Sequence, residues 1–333
     1  MRPVWRPSVI IISGPEVQRM FSINESVTPY IDELLSREEE LDVRSYYLEN
    51  QSTVIDCGVE ARGSIGAGML AASIAMGGLG KITLVPGIID GFYIQFAQVW
   101  VDNPAVACLC SQMPGWKIKA DDFNAAAFGP ARAIAQKPKN IFTAIDYTDD
   151  SETAVVMLWS SKLPAAKDME YIAKQCSTEP ECVVALVARH NSVAGSVINS
   201  ARAIEWTLSR LLQLGYDVRE ISSASSAVPL APLVSDGQEY TIASLDSIAY
   251  YGMVSLYSKA ANDLFKSATS DTSKSYGKSF RALLKDAQGD LSRVDPAILA
   301  PARLMINGCD GTLNAYGRLD PAMLMTSFGL KQA

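Results

Sequence analysis

The sequence predicts an α+β fold, and three observations lead there. Strand-like and helix-like patterns alternate irregularly, with many hairpin-scale links, where a doubly wound sheet would keep a steady strand–helix–strand rhythm. Apolar residues make up 48% of the 333 and charged residues 20%, a globular balance in a chain long enough for two domains. The long uninterrupted apolar runs Ala154–Trp159 and Cys182–Ala188 are far too short to span a bilayer and read as buried strands.

The elements follow in chain order. Residues 1–20 read as an N-terminal arm. Within it Val9–Ile12, behind Arg2 and Arg6, imitates a signal peptide but is too short and lacks a cleavage site. Asn24–Glu40 has helical spacing, with Val27, Ile31, Leu34 and Leu35 on one side. Val43–Leu48 and Thr53–Val59 alternate as two strands around a turn at Glu49–Gln51. Gly63, Gly66 and Gly68 then open an Ala-rich helix ending at Gly77–Gly78. Ile82–Val85 and Phe92–Val101 read as further strands, and a first domain over 21–150 closes in the polar stretch Pro138–Asp150.

The second domain, 151–330, begins with strand Thr153–Trp159, helix Ala165–Gln175 and strand Val183–Val187. A polar loop holding Asn191, Ser192, Gly195 and Ser196 leads into a helix that runs to about Leu214. Ser222–Ser235 lacks periodicity and reads as a loop lining a site. Ser247–Tyr257 reads as a tyrosine-rich strand, and Ala297–Gly308 with Gly311–Leu319 as a closing hairpin able to pack back on the first domain.

Charge and composition exclude several function classes. The net charge is −7, from 29 basic and 36 acidic residues without a basic tract, which argues against a nucleic-acid partner. The apolar runs argue against a membrane partner, and a cytoplasmic protein is expected. Cys57, Cys108, Cys110, Cys176, Cys182 and Cys309 form no C-x-x-C. With His190 the single histidine, no metal site is expected, and all six cysteines read as reduced and structural. Acid–base chemistry then falls to carboxylate, Arg, Lys, Tyr or backbone groups. The Gly63–Gly68 cluster reverses the dinucleotide fingerprint and lacks its acidic residue, so close helix packing explains it better, with anion binding at the helix start as the alternative.

Two motifs carry candidate chemistry. In Gly129–Pro130–Ala131–Arg132 a glycine turn opens a short helix, where the amides and Arg132 could hold an anionic ligand group or simply form a turn with a solvated arginine. Further on, Arg202 and Glu205 lie three residues apart in a helical pattern, so both side chains leave the same face. That spacing fits an ordinary surface ion pair as well as a fixed acid–base pair beside a ligand.

Ala194–Gly195–Ser196–Val197 followed by Ala201–Arg202–Ala203–Ile204–Glu205 resembles the methenyltetrahydromethanopterin cyclohydrolase family of archaeal and methylotroph one-carbon metabolism. Further family-like blocks stand in the expected order across roughly Ile23 to Leu330. They are Val54–Val59, Gly77–Leu79, Ser111–Gln112 with Gly115–Trp116, Gly129–Ala133 and Ala300–Ala302. The resemblance implies two α+β domains with the substrate in a pocket between them, assembled as a homotrimer. It implies reversible hydrolysis of the methenyl bridge of 5,10-methenyltetrahydromethanopterin to the formyl form, as in methanogenesis, with no cofactor beyond the pterin substrate. Arg202 and Glu205 are then the catalytic residues, and Gln112, Gly129, Arg132, His190, Ser192, Ser196 and Asn199 the substrate-binding ones. Trp116 and Tyr250 or Tyr251 could stack on a pterin or belong to the core.

Six sites, eight residues in all, depart from the family pattern. Arg189–His190 replaces a usual Pro-Thr, Ala127–Phe128 a Gly-Ser, Gly66 a Glu, Leu245 an Asn, Arg303 a Glu, and Met113 a frequent Lys. They motivate the alternative expectation, a non-catalytic or repurposed homologue that binds a pterin-like ligand or acts as a structural subunit.

Overall fold

Period-two runs become strands, and these sort into two mixed sheets of six strands each. A computed structural model describes residues 21–120, 123–259, 262–290 and 293–330. The arm expected over 1–20 lies outside the described residues. The chain passes through a 3-10 turn (Glu25–Val27), α1 (Thr28–Ser36), α2 (Glu38–Leu41), β1 (Arg44–Tyr47), β2 (Thr53–Asp56) and α3 (Ile65–Ala75). Then come β3 (Gly80–Ile89), β4 (Phe92–Asp102), a π-helix (Ala105–Gln112), β5 (Trp116–Ala120), β6 (Phe123–Phe128), α4 (Ala131–Ala135) and α5 (Lys139–Ile145). They are followed by β7 (Ala154–Trp159), α6 (Ala166–Cys176), β8 (Val183–Ala188), α7 (Val193–Ser200), α8 (Ala203–Gln213) and β9 (Ile221–Pro229). The last elements are α9 (Gly237–Tyr251), β10 (Met253–Ser258), α10 (Phe280–Asp286), β11 (Arg303–Gly308), β12 (Leu313–Gly317) and α11 (Pro321–Ser327).

The first sheet has the order β1-β2-β8-β7-β6-β5, the second β12-β11-β10-β9-β4-β3. Burial explains the sequence patterns. All six residues of β7 are buried, because helices cover both faces of the first sheet, and a strand shielded on both faces reads as a continuous apolar run. In β4, Val99 and Val101 point inward while Gln98, Trp100 and Asp102 are exposed, as expected of a sheet with one open face. The inner faces of both sheets and the helices between them share one apolar core, which includes Ile55, Met157, Val99, Leu256, Val197 and Leu208. Among the described residues, no helix is long and apolar enough to cross a membrane.

Small residues set the central helix contact. A Cβ added at Gly68 of α3 would lie 2.8 Å from the Ala194 carbonyl oxygen and 2.9 Å from its Cα, so only glycine lets α3 approach α7 this closely. Ser64 caps α3 by accepting the Ala67 N–H at 3.1 Å. Close packing therefore accounts for the glycine cluster.

The structure corrects several expectations. A division at residue 150 does not follow the sheets: β3 and β4 lie in the second sheet, whereas β7 and β8 lie in the first. The C-terminal hairpin lies at the opposite end of the second sheet from β3 and β4. Gly195 and Ser196 belong to α7 rather than to a loop. Ser222–Ser235 holds β9, an interior strand between β4 and β10. Its serines and alanines are small enough for alternating faces to escape notice. Ser247–Tyr257 splits between the end of α9 and β10. Helix α9 is buried on several sides, so its apolar and aromatic residues lack the one-sided stripe of a surface helix. Within Pro138–Asp150 lies α5.

Candidate active site

The catalytic candidates sit where one helix hands over to the next. Helix α7 ends at Ser200, α8 begins at Ala203, and Arg202 occupies the turn between them. Its backbone N–H donates to the Asn199 carbonyl at 3.3 Å. Its side chain reaches into the first turn of α8, where Nε donates to Glu205 Oε2 at 2.7 Å and Nη2 to Oε1 at 3.1 Å. This two-pronged geometry suits a planar guanidinium facing a carboxylate. The side chains are 11% and 1% exposed, which excludes an ordinary surface ion pair. Trp206 lies beneath the guanidinium, whose Cζ is 5.1 Å from the ring centroid. Burial pushes the Glu205 carboxyl above its ordinary pKa, while Arg202 and then Arg132 pull the other way.

The pair opens on a cavity of about 590 Å³, a volume typical of small-molecule sites. Trp206, Ser209 and Leu212 of α8 continue its wall, with Thr241 and Leu245 from α9, Asn140 and Ile141 from α5, and Met113 and Pro114 after the π-helix. Met113 and Leu245 are two of the departures, and both make the wall apolar beside the ion pair. Sequence reasoning missed Trp206, although the spacing that pairs Arg202 with Glu205 also brings residue 206 beneath Arg202. Asn140, Ile141 and Thr241 left no local signal.

The π-helix supports this site from behind. Its last turn is wide, with the Met113 N–H donating to the Cys108 carbonyl at 2.8 Å. Gln112 is buried and donates through Nε2 to the Ala201 carbonyl at 3.3 Å, tying the π-helix to the α7–α8 turn. Its Oε1 is buried without a partner. Arg132 is fully buried, and its guanidinium donates to the carbonyls of Lys137, Leu109 and Ser111 at 2.8, 2.9 and 3.2 Å. The cation braces the π-helix, its Nη2 is buried without a partner, and burial pulls its pKa down to about 10. Gly129, at φ +92°, donates its N–H to the Ser111 carbonyl at 2.8 Å and packs against Met157.

The remaining predicted residues gather around His190. The imidazole stacks on Trp159 at 4.2 Å between centroids, and Trp159 stacks on Phe128 at 5.2 Å. Two departures, Phe128 and His190, are thus the ends of one aromatic stack. Asn199 faces the ring from α7, with 3.4 Å between its Oδ1 and His190 Nδ1. Ser192 caps α7, accepting the Gly195 N–H at 3.0 Å, and Ser196 donates to the Val193 carbonyl at 2.7 Å. Gly195 is required here, since an added Cβ would meet the Arg189 carbonyl oxygen at 2.0 Å. His190, Arg189, Asn191 and Ser160 line a second cavity of about 460 Å³. Burial pulls the His190 pKa down to about 4, with the hydrogen bond to Asn199 opposing and the Arg202 charge assisting.

A third hollow of about 340 Å³, on the open face of the second sheet near Trp100, is lined by no titratable side chain. Among the described residues, no group of three or more His, Cys, Asp or Glu side chains could hold a metal ion. All six cysteines are free, and four are buried. Trp116 and Tyr250 are core residues, at 3% and 0% exposure.

Comparison with known proteins supplies the final observation. Residues 22–328 match a protein-family model described as Cyclohydrolase (MCH). The methenyltetrahydromethanopterin cyclohydrolase of Methanococcoides burtonii is 37% identical over 318 residues, covering 94% of this chain and 99% of its own. That of Methanocella arvoryzae is 39% identical over 318 residues, covering 94% and 100%. That of Methanospirillum hungatei is 36% identical over 313 residues, covering 93% and 99%.

Proposed function

Because the chain belongs to the methenyltetrahydromethanopterin cyclohydrolase family, we propose that it reversibly hydrolyses the methenyl bridge of 5,10-methenyltetrahydromethanopterin to the formyl form. The observation that carries this reading is the buried, two-pronged Arg202–Glu205 pair opening on a cavity. No finding favours the non-catalytic alternative.

The bridge is a formamidinium cation, so its carbon is electrophilic before the enzyme acts. Glu205 balances that charge and takes a proton from a water as the water oxygen bonds to the bridge carbon. In the neutral adduct the bond from carbon to one ring nitrogen then breaks. The electron pair stays on that nitrogen, which receives the proton held by Glu205, while the adduct hydroxyl loses its proton to solvent. One water is consumed and one proton released. Burial favours the protonated carboxyl that the second step needs, and Arg202 keeps the ionised form accessible for the first. No metal or nucleotide is called on.

The test follows the ultraviolet absorbance of the methenyl pterin with purified protein, in parallel with Glu205→Gln. The variant should bind substrate and lose on the order of a hundredfold in kcat. Undiminished turnover would remove Glu205 from the mechanism, and dependence on an added metal after exhaustive chelation would overturn the metal-free scheme. We extend the proposal to a cytoplasmic homotrimer serving one-carbon metabolism, with family membership as its support.

A further inference from the structure

His190 is the single histidine of the chain, and the hydrolysis proposed above does not use it as acid or base. Its neighbours decide which ring nitrogen carries the proton. Asn199 Nδ2 donates to the carbonyl oxygens of Gly195 at 2.9 Å and His190 at 3.3 Å. Turning that amide over would set its oxygen against both carbonyls, so Oδ1 is the atom facing His190 Nδ1. An amide oxygen only accepts, and Nδ1 must therefore donate. A neutral ring protonated at Nδ1 keeps a bare lone pair on Nε2.

That lone pair is left for a ligand. Among the described residues, no protein group bonds Nε2, and the ring borders the second cavity. The stack on Trp159 and Phe128 fixes the plane of the ring. Asn199 fixes its rotation, and the Asn199 carbonyl accepts the Arg202 N–H. Asn199 thus ties the ring to α7, the helix whose C-terminus leads into the turn that carries Arg202. Burial beside Arg202 opposes a second proton.

We infer that His190 is a specificity-determining hydrogen-bond acceptor, a neutral Nδ1–H imidazole whose Nε2 receives an N–H donor from the ligand. The amino–amide edge of the pyrimidinone half of a pterin offers such donors. A ligand presenting only acceptors there would meet lone pair against lone pair. The ligand class rests on the cyclohydrolase reading, whereas the tautomer does not.

With one histidine, selective ¹⁵N-histidine labelling yields a single pair of ring-nitrogen resonances without assignment. The free protein should show Nδ1 protonated and Nε2 bare at neutral pH. Adding methenyltetrahydromethanopterin to the Glu205→Gln protein should shift Nε2 toward its hydrogen-bonded position while Nδ1 stays. His190→Phe, which keeps a ring on Trp159 but removes the acceptor, should raise KM on the order of tenfold, the loss falling on KM rather than kcat. His190→Gln, with an amide oxygen to offer, should recover part of it. A ring protonated at Nε2, an unmoved Nε2 at saturating pterin, or an unchanged KM in His190→Phe would each overturn the inference while leaving the cyclohydrolase reading intact. Failure of any pterin to bind, by calorimetry, would overturn the cyclohydrolase reading and the ligand assignment together.

Discussion

Replacing His190 by Phe should remove a pH dependence from the protein's stability. Folding buries the imidazole and pulls its pKa from 6.5 to about 4. Between those values the unfolded chain binds a proton that the folded chain does not. The stabilisation from a neutral His190 is therefore fully present above pH 6.5 and is lost as pH falls toward 4. At 1.36 kcal/mol per pKa unit the displacement corresponds to about 3 kcal/mol, and residual solvent access trims it to about 2–3 kcal/mol. Asp246 works against this slope. It is buried where its carboxylate accepts the Phe280 N–H at 2.9 Å and the Ser327 hydroxyl at 2.6 Å, and burial raises its pKa to about 6. The folded chain thus holds a proton on Asp246 between pH 3.8 and 6, a contribution lost as pH rises. The change with pH in the difference between wild type and His190→Phe is free of that term and of the pH-independent loss of the contact with Asn199. Urea denaturation at pH 7, 6, 5 and 4.5, at one fixed protein concentration, should show the variant gaining on wild type by about 2 kcal/mol across the series. A constant difference would mean that the ring titrates alike in both states, refuting its burial as a neutral group.

Two further outcomes follow from the site and its family. Arg202→Lys replaces a fork by a single ammonium, so Glu205, already raised by burial, should rise further. The acid limb of kcat/KM should move to higher pH, with on the order of tenfold lost at pH 6, and a limb that stays or moves down would count against Glu205 as the base. Light scattering should return three times the 35.9 kDa chain mass, and a monomer with full turnover would dismiss the proposed trimer.

Much of this protein is legible in its sequence because local periodicity reports local environment. The runs Ala154–Trp159 and Val183–Ala188 are apolar throughout because they lie inside a doubly covered sheet. The glycines of α3 mark a close helix contact, and the spacing of Arg202 and Glu205 places both in one turn. What the sequence by itself could not determine depends on partners far along the chain. Strands β3 and β4 join the C-terminal strands, and serine-rich β9 becomes an interior strand, through pairings that leave no local trace. The Phe128–Trp159–His190 stack draws one ring from β6, one from β7 and one from the loop after β8. Arg132 stands in a family-like motif, yet its fate was decided by the carbonyls of a π-helix that periodicity did not announce. The same holds for the ion pair: three-residue spacing brings the two side chains together, but only the packing of α8 against the π-helix and the core removes Glu205 from water. Desolvation, the force that turns an ordinary pair into a reactive one, is a property of tertiary structure.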